Sequence, residues 1–221
     1  MEAIKQFNIN IGRASELLEI HKKNYPKGRP ESKGPPSDLL RAVIVFAVAA
    51  LDAYIGKRII EVVGKNIINN QKVSDKCLDY IFDANNKPKD VGRILVNIAI
   101  NKKPDKVILN RIAKSIKQKT FQKTEELDEA FKIMGIEKDA WSKINNLIHS
   151  KRGRRQRGRR RSAENIINNL AKRRNAIVHE SDMYLNNKHH GKIRPISRKP
   201  VEKDIELLKR IVNAIEDVSG I

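Results

Sequence analysis

Apolar side chains return at three- and four-residue steps from the start of the chain. Ile4, Phe7, Ile11, Ala14 and Leu18 share one face, which predicts an amphipathic helix over residues 2–23. A stretch rich in Pro and Gly follows at 25–37 and reads as a loop. Ser37 is a natural N-cap for the next helix, expected over 38–64. That helix has a different pattern. Between Leu39 and Ile55 only Arg41 and Asp52 are charged, and a helix apolar all round belongs in an interior or at a subunit interface. Asp52 is then the one carboxylate on the most buried segment, unless it is an ordinary exposed acid near the helix end.

Residues 66–150 read as several shorter helices. Ser74 caps one that ends near Phe82, and a second covers 91–100. Pro104 suits the first turn of a third, Gly135 closes a fourth over 124–134, and 139–149 completes the set. Ser162 opens a helix to about Val178, and Val201, Ile205, Leu208, Ile211, Val212 and Ile215 line one face of a last one. No strand pair with hairpin signals stands out. The predicted class is all-α, an up-and-down helical bundle with additional short helices.

The helix opened by Ser162 carries an irregularity. At roughly 100° per residue, Ala163, Ile166, Ile167, Leu170, Ala171, Ile177 and Val178 form one stripe, and Arg174 falls near its middle. Asn175 and His179, four apart, share a neighbouring face. A core-facing Arg is costly to bury without a partner.

Charge narrows the choice of partner. The chain has 221 residues and a formal net charge of +20, which points to nucleic acid or an anionic surface. Seven Arg and one Lys fall within 151–161, with no acid, and Gly153 and Gly158 weaken any helix there. This is expected to be a flexible basic arm. Its cations Arg152, Arg154, Arg155, Arg157, Arg159, Arg160 and Arg161, with Arg173 beyond it, are the candidate nucleic-acid contacts. A second basic loop spans 183–200. The most apolar run, 42–51, is about half of what a bilayer needs, so no membrane partner is expected. Residues 1–6 already carry charge and do not read as a signal peptide. A single cysteine, Cys77, suits a cytoplasmic location.

Metal catalysis finds little support. Cys77 is alone, and His189 and His190 are adjacent and point apart. No Gly-rich phosphate loop precedes a helix, and no cofactor is implied. Arg174, Asn175 and His179 suit RNA chemistry instead. An imidazole can take a proton from a ribose 2′-OH or return one to the leaving 5′-oxygen. A guanidinium can hold the phosphate and offset growing negative charge. The bland alternative has His179 as a favourable cation at a helix C-terminus and Arg174 simply paired with Asp52.

The succession Arg173, Arg174, Asn175, Ala176, Ile177, Val178, His179, Glu180, Ser181, Asp182 resembles the Arg-x4–6-His motif of the HEPN superfamily, in particular its ribonuclease-L-like branch. Ala49, Ala50, Leu51, Asp52, Ala53, Tyr54 and Ile55 are similar to an early helix of that branch. The resemblance covers 38–64 and 162–218. It leaves 66–150 as a family-specific helical insert within a single domain, 1–221. It implies a metal-independent endoribonuclease, a homodimer whose two motif helices share one cleft, and service as a toxin or antiviral-defence effector. An antitoxin or other regulatory protein is a further partner of that kind. By the same resemblance His179 is the acid/base, Arg174 the phosphate-orienting group and Asn175 a polar assistant. Asp52 is expected to hold Arg174. A related toxin group has a Tyr two residues after the His, where this chain has Ser181. Two other readings stand beside the nuclease: a catalytically silent module that binds RNA, and an adaptor whose helices bind a partner protein.

Overall fold

The segment expected to be apolar all round forms the axis of the molecule. The structure, a computed structural model, describes residues 2–26, 34–82, 88–136, 139–149, 161–185 and 190–220. Nine helices occur among them: α1 (Glu2–Asn24), α2 (Pro35–Ile68), α3 (Asp75–Phe82), α4 (Pro88–Ile100), α5 (Pro104–Ile116), α6 (Thr124–Met134), α7 (Ala140–His149), α8 (Ala163–Glu180) and α9 (Arg198–Val218). α2 touches α1, α5, α6, α8 and α9, so apolar residues on most of its circumference meet another helix. Among the described residues α2 alone is long and apolar enough to cross a membrane, and it is a core helix here, largely buried within the bundle.

The fold is all-α. Met183 and Ile193 form an isolated antiparallel bridge, inside what the sequence presents as a basic loop. Every helix except α4 contributes to one hydrophobic cluster, which runs from Ala3 and Phe7 of α1 to Ile215 of α9. The middle helices are part of that core. Cys77 and Tyr80 of α3, Ile112 of α5, Leu127 of α6 and Ile144 of α7 all join it.

The caps follow the turn chemistry with one correction. Ser74 accepts the Cys77 N–H at 3.0 Å, and Ser162 accepts that of Asn165 at 3.3 Å. Gly135 ends α6 at φ 75°, the left-handed conformation that favours glycine. Ser37, however, is not an N-cap. α2 begins at Pro35, because proline fits the first helical turn where its missing N–H is not needed. Gly34 precedes it at φ 86°, and the Ser37 hydroxyl donates back to the Gly34 carbonyl at 2.9 Å.

A buried cation ties α2 to α9. Arg58 is 1% exposed. It donates to Ser219 Oγ at 2.9 and 2.7 Å and lies 3.2 Å from the Glu216 carboxylate. Tyr54 donates to Glu216 at 2.7 Å, and burial followed by that bond pushes its hydroxyl above the ordinary tyrosine value.

Candidate active site

α8 is anchored along its first three turns and opens near its end. Ala163, Ile166, Ile167, Leu170 and Ala171 are buried. Asn168 fastens the helix to α6 by accepting the Thr124 N–H at 3.1 Å. Beyond Ala171 the covered face rotates. Ala176 is buried, Ile177 is half-buried, and Val178 is 47% exposed. Arg173 and Arg174 are both half-buried, on different sides of the helix. The sequence stripe therefore misplaces the inward cation: Arg173, not Arg174, is drawn to a buried acid.

That acid is Asp182, which is fully buried. Its Oδ2 accepts from Arg41 Nε at 2.7 Å and from Arg173 Nη2 at 2.6 Å. Arg41 also donates to Ser37 Oγ at 2.7 Å, Asp38 Oδ1 at 3.0 Å and the Arg194 carbonyl at 3.0 Å. Burial lowers the Arg173 guanidinium from its ordinary value, and Asp182 opposes that shift. The backbone reaches Asp182 through two successive left-handed residues, Ser181 at φ 49° and Asp182 at φ 57°. The Asp182 N–H donates to the Ala176 carbonyl at 2.8 Å, and the Asp182 carbonyl accepts from the Arg194 N–H at 2.8 Å. Helix end, α2 and the short bridge are thus locked around one carboxylate. Arg173, expected among the nucleic-acid contacts, belongs to this internal network.

The three motif side chains occupy the open end. Arg174 Nη1 donates to Asn175 Oδ1 at 3.0 Å, so the amide orients the guanidinium. Arg174 also lines a cavity of about 460 Å³ between α8, α2 and the segment joining α5 to α6. His179 lies exposed in the last turn of α8. Asp52 lines the same cavity, yet the expected Asp52–Arg174 ion pair is not formed. Its Oδ1 accepts the Phe121 N–H at 2.7 Å and its Oδ2 accepts from Gln122 Nε2 at 2.8 Å. A helix face shows which way Asp52 points, but the loop arriving there, residues 120–123, supplies closer donors. A second cavity, about 490 Å³, opens on another side of α8, with Arg41, Phe46, Ile177 and Ser181 among its walls.

The described residues fold into helices, and Arg174, Asn175 and His179 lie near the end of one of them. The RiboL-PSP-HEPN family matches residues 9–219. The chain belongs to that family. No curated protein and no solved structure matches it. The span of the match to this RiboL-PSP-HEPN protein includes 66–150. HEPN domains are often ribonucleases. Arg161 is the one cation of the arm that the structure describes, and it pairs with Asp204 of α9 at 2.5 Å. Arg152, Arg154, Arg155, Arg157, Arg159 and Arg160 lie outside the described residues. Among the described residues no group of three or more His, Cys, Asp or Glu side chains comes together as a metal site.

Proposed function

We propose that this RiboL-PSP-HEPN protein is a metal-independent endoribonuclease, active as a homodimer and serving as a toxin or antiviral-defence effector. The observation that carries the reading is the open end of α8, where Arg174, oriented by Asn175, and His179 remain accessible while Ala163, Ile166, Ile167, Leu170 and Ala171 anchor the earlier turns in the core.

In this reading His179 takes the proton from a ribose 2′-OH, whose oxygen attacks the adjacent phosphorus. The P–O5′ bond breaks, leaving a 2′,3′-cyclic phosphate and a 5′-hydroxyl that receives a proton from a second imidazole. Arg174 holds the non-bridging oxygens as their charge grows. A base and an acid are both needed, and two copies of α8 facing one another would supply one His179 each. Val178, 47% exposed near the end of α8, offers an apolar side chain to such a pairing. His179→Ala is the test. It should abolish cleavage of RNA while leaving the fold and the RNA affinity nearly intact. Wild-type cleavage should persist in EDTA and spare DNA. Bound but uncut RNA in the wild-type lane would favour the silent binding module instead.

A further inference from the structure

The cavity beside Arg174 has the features of a seat for one nucleotide of the substrate strand. Its walls are apolar and mostly small: Ala53 and Gly56 from α2, Ile116 from α5, and Phe121 from the following loop. A Cβ on Gly56 would lie 3.4 Å from Ile116, so α2 and α5 already approach closely at this wall. The charged side chains at its edge are Lys57, Lys117, Lys119 and Arg174, with Asp52 the lone acid. Lys57 and Lys119 pair with Glu2 at 3.2 Å and Glu129 at 3.5 Å. Both pairs are solvent-accessible and thus weak, so either lysine can turn to a phosphate. The volume, about 460 Å³, falls within the range of small-molecule pockets. An apolar floor under a cationic rim matches a flat base carried on a phosphodiester backbone better than it matches a peptide or a lipid.

One polar pair can read the base. Asp52 offers each oxygen to one bond, from Phe121 and from Gln122, and a carboxylate oxygen accepts more than one. An acceptor held this firmly selects a base with an exocyclic amino group, as carboxylates do with cytosine N4. We propose that this cavity binds the nucleotide next to the scissile phosphate, base on the apolar floor and amino edge toward Asp52, and that it gives the enzyme a preference for amino-bearing bases over uracil. The inference rests on the nuclease reading but is tested apart from it.

The experiment titrates cytidine and uridine 5′-monophosphate into full-length His179→Ala protein, with and without Ala53→Phe or Lys117→Glu. Ala53 and Lys117 are exposed, so neither change disturbs the core. Cytidine monophosphate should bind, with uridine monophosphate about tenfold weaker, the size of one missing base-edge hydrogen bond. Ala53→Phe should weaken the cytidine ligand about tenfold or more by filling the space a base would occupy. Lys117→Glu should weaken both ligands alike. Cytidine affinity unmoved by Ala53→Phe overturns the seat, and equal affinity for the two nucleotides overturns the reading by Asp52. If wild-type protein leaves RNA intact while Ala53-dependent binding is present, the nuclease reading fails and the cavity stands. Cleavage with Ala53-independent binding is the reverse outcome.

Discussion

Asp182 holds the candidate site in place, and the energetics of buried charge say how firmly. It faces two guanidiniums, Arg41 and Arg173, inside a site it does not share with solvent. Removing it leaves Arg41, 7% exposed, without its main counter-charge. Asp182→Ala should therefore destabilise the protein by about 3–5 kcal/mol, the usual loss when one partner of a buried pair is deleted. Urea denaturation measures this, and a change under about 1 kcal/mol, the level of an exposed pair, would contradict it. Arg174→Ala touches no such network and should leave stability almost unchanged. At this scale the sequence was partly legible. Arg174, Asn175 and His179 are a local pattern, which singles them out as candidates, and the structure sets them near the end of α8. Asp182 was missed because its meaning lies in Arg41, 141 residues away. The available signal was Arg41, which shares the stretch from Leu39 to Ile55 with a single acid, Asp52, and so called for a counter-charge from elsewhere in the chain. Asp52 was assigned the wrong partner for the same reason, since periodicity gives a direction and not a neighbour.

Helices place these residues, and two of their ends can be tested. Ser162 caps α8 through the Asn165 N–H. Ser162→Ala should cost about 1 kcal/mol in stability, read as a lower melting temperature with activity retained in the folded fraction. α1 docks on α2 partly through Glu61, whose carboxylate accepts the Glu2 and Ala3 N–H groups at 2.5 and 2.7 Å. Burial alone would raise Glu61, those backbone bonds act in the opposite direction, and its folded value lies below the ordinary one. The sign follows directly. A lowered carboxyl stabilises above its unfolded value, near pH 4.3, and that contribution is lost as pH falls further, through the folded value. Glu61→Gln should flatten the acid limb of the stability curve below about pH 4; an unchanged limb would exclude Glu61 as a contributor. Element positions were the most legible part of the sequence because the apolar period recurs along the helices and Ser74, Gly135 and Ser162 mark the ends of α3, α6 and α8. The start of α2 was misread because two prolines outrank a serine for the first turn. The rotation of the covered face of α8 was not legible, since it follows from the tertiary pull of Asp182 on Arg173.

For the whole molecule the governing property is charge. With a net +20 and only 5% aromatic residues, the chain should hold RNA mainly through phosphates, and base stacking should be a minor term. Affinity should fall steeply with salt. Deleting 151–160 should lower the salt slope by about one for each phosphate the segment neutralises; a slope that does not move would remove that segment from the RNA surface. Long-range charge of this kind is readable from sequence alone, whereas the cavity beside Arg174 is not, because α2, α5, α8 and the 120–123 loop meet there from distant parts of the chain. The most direct test of metal-independent cleavage by His179 incubates wild-type and His179→Ala protein with mixed cellular RNA in EDTA and resolves the products on a sequencing gel. Wild type should give discrete fragments ending in cyclic phosphates and the variant none, at matched dimer content and RNA binding. Equal cleavage by both proteins, or wild-type cleavage that appears only when metal is restored, would contradict it.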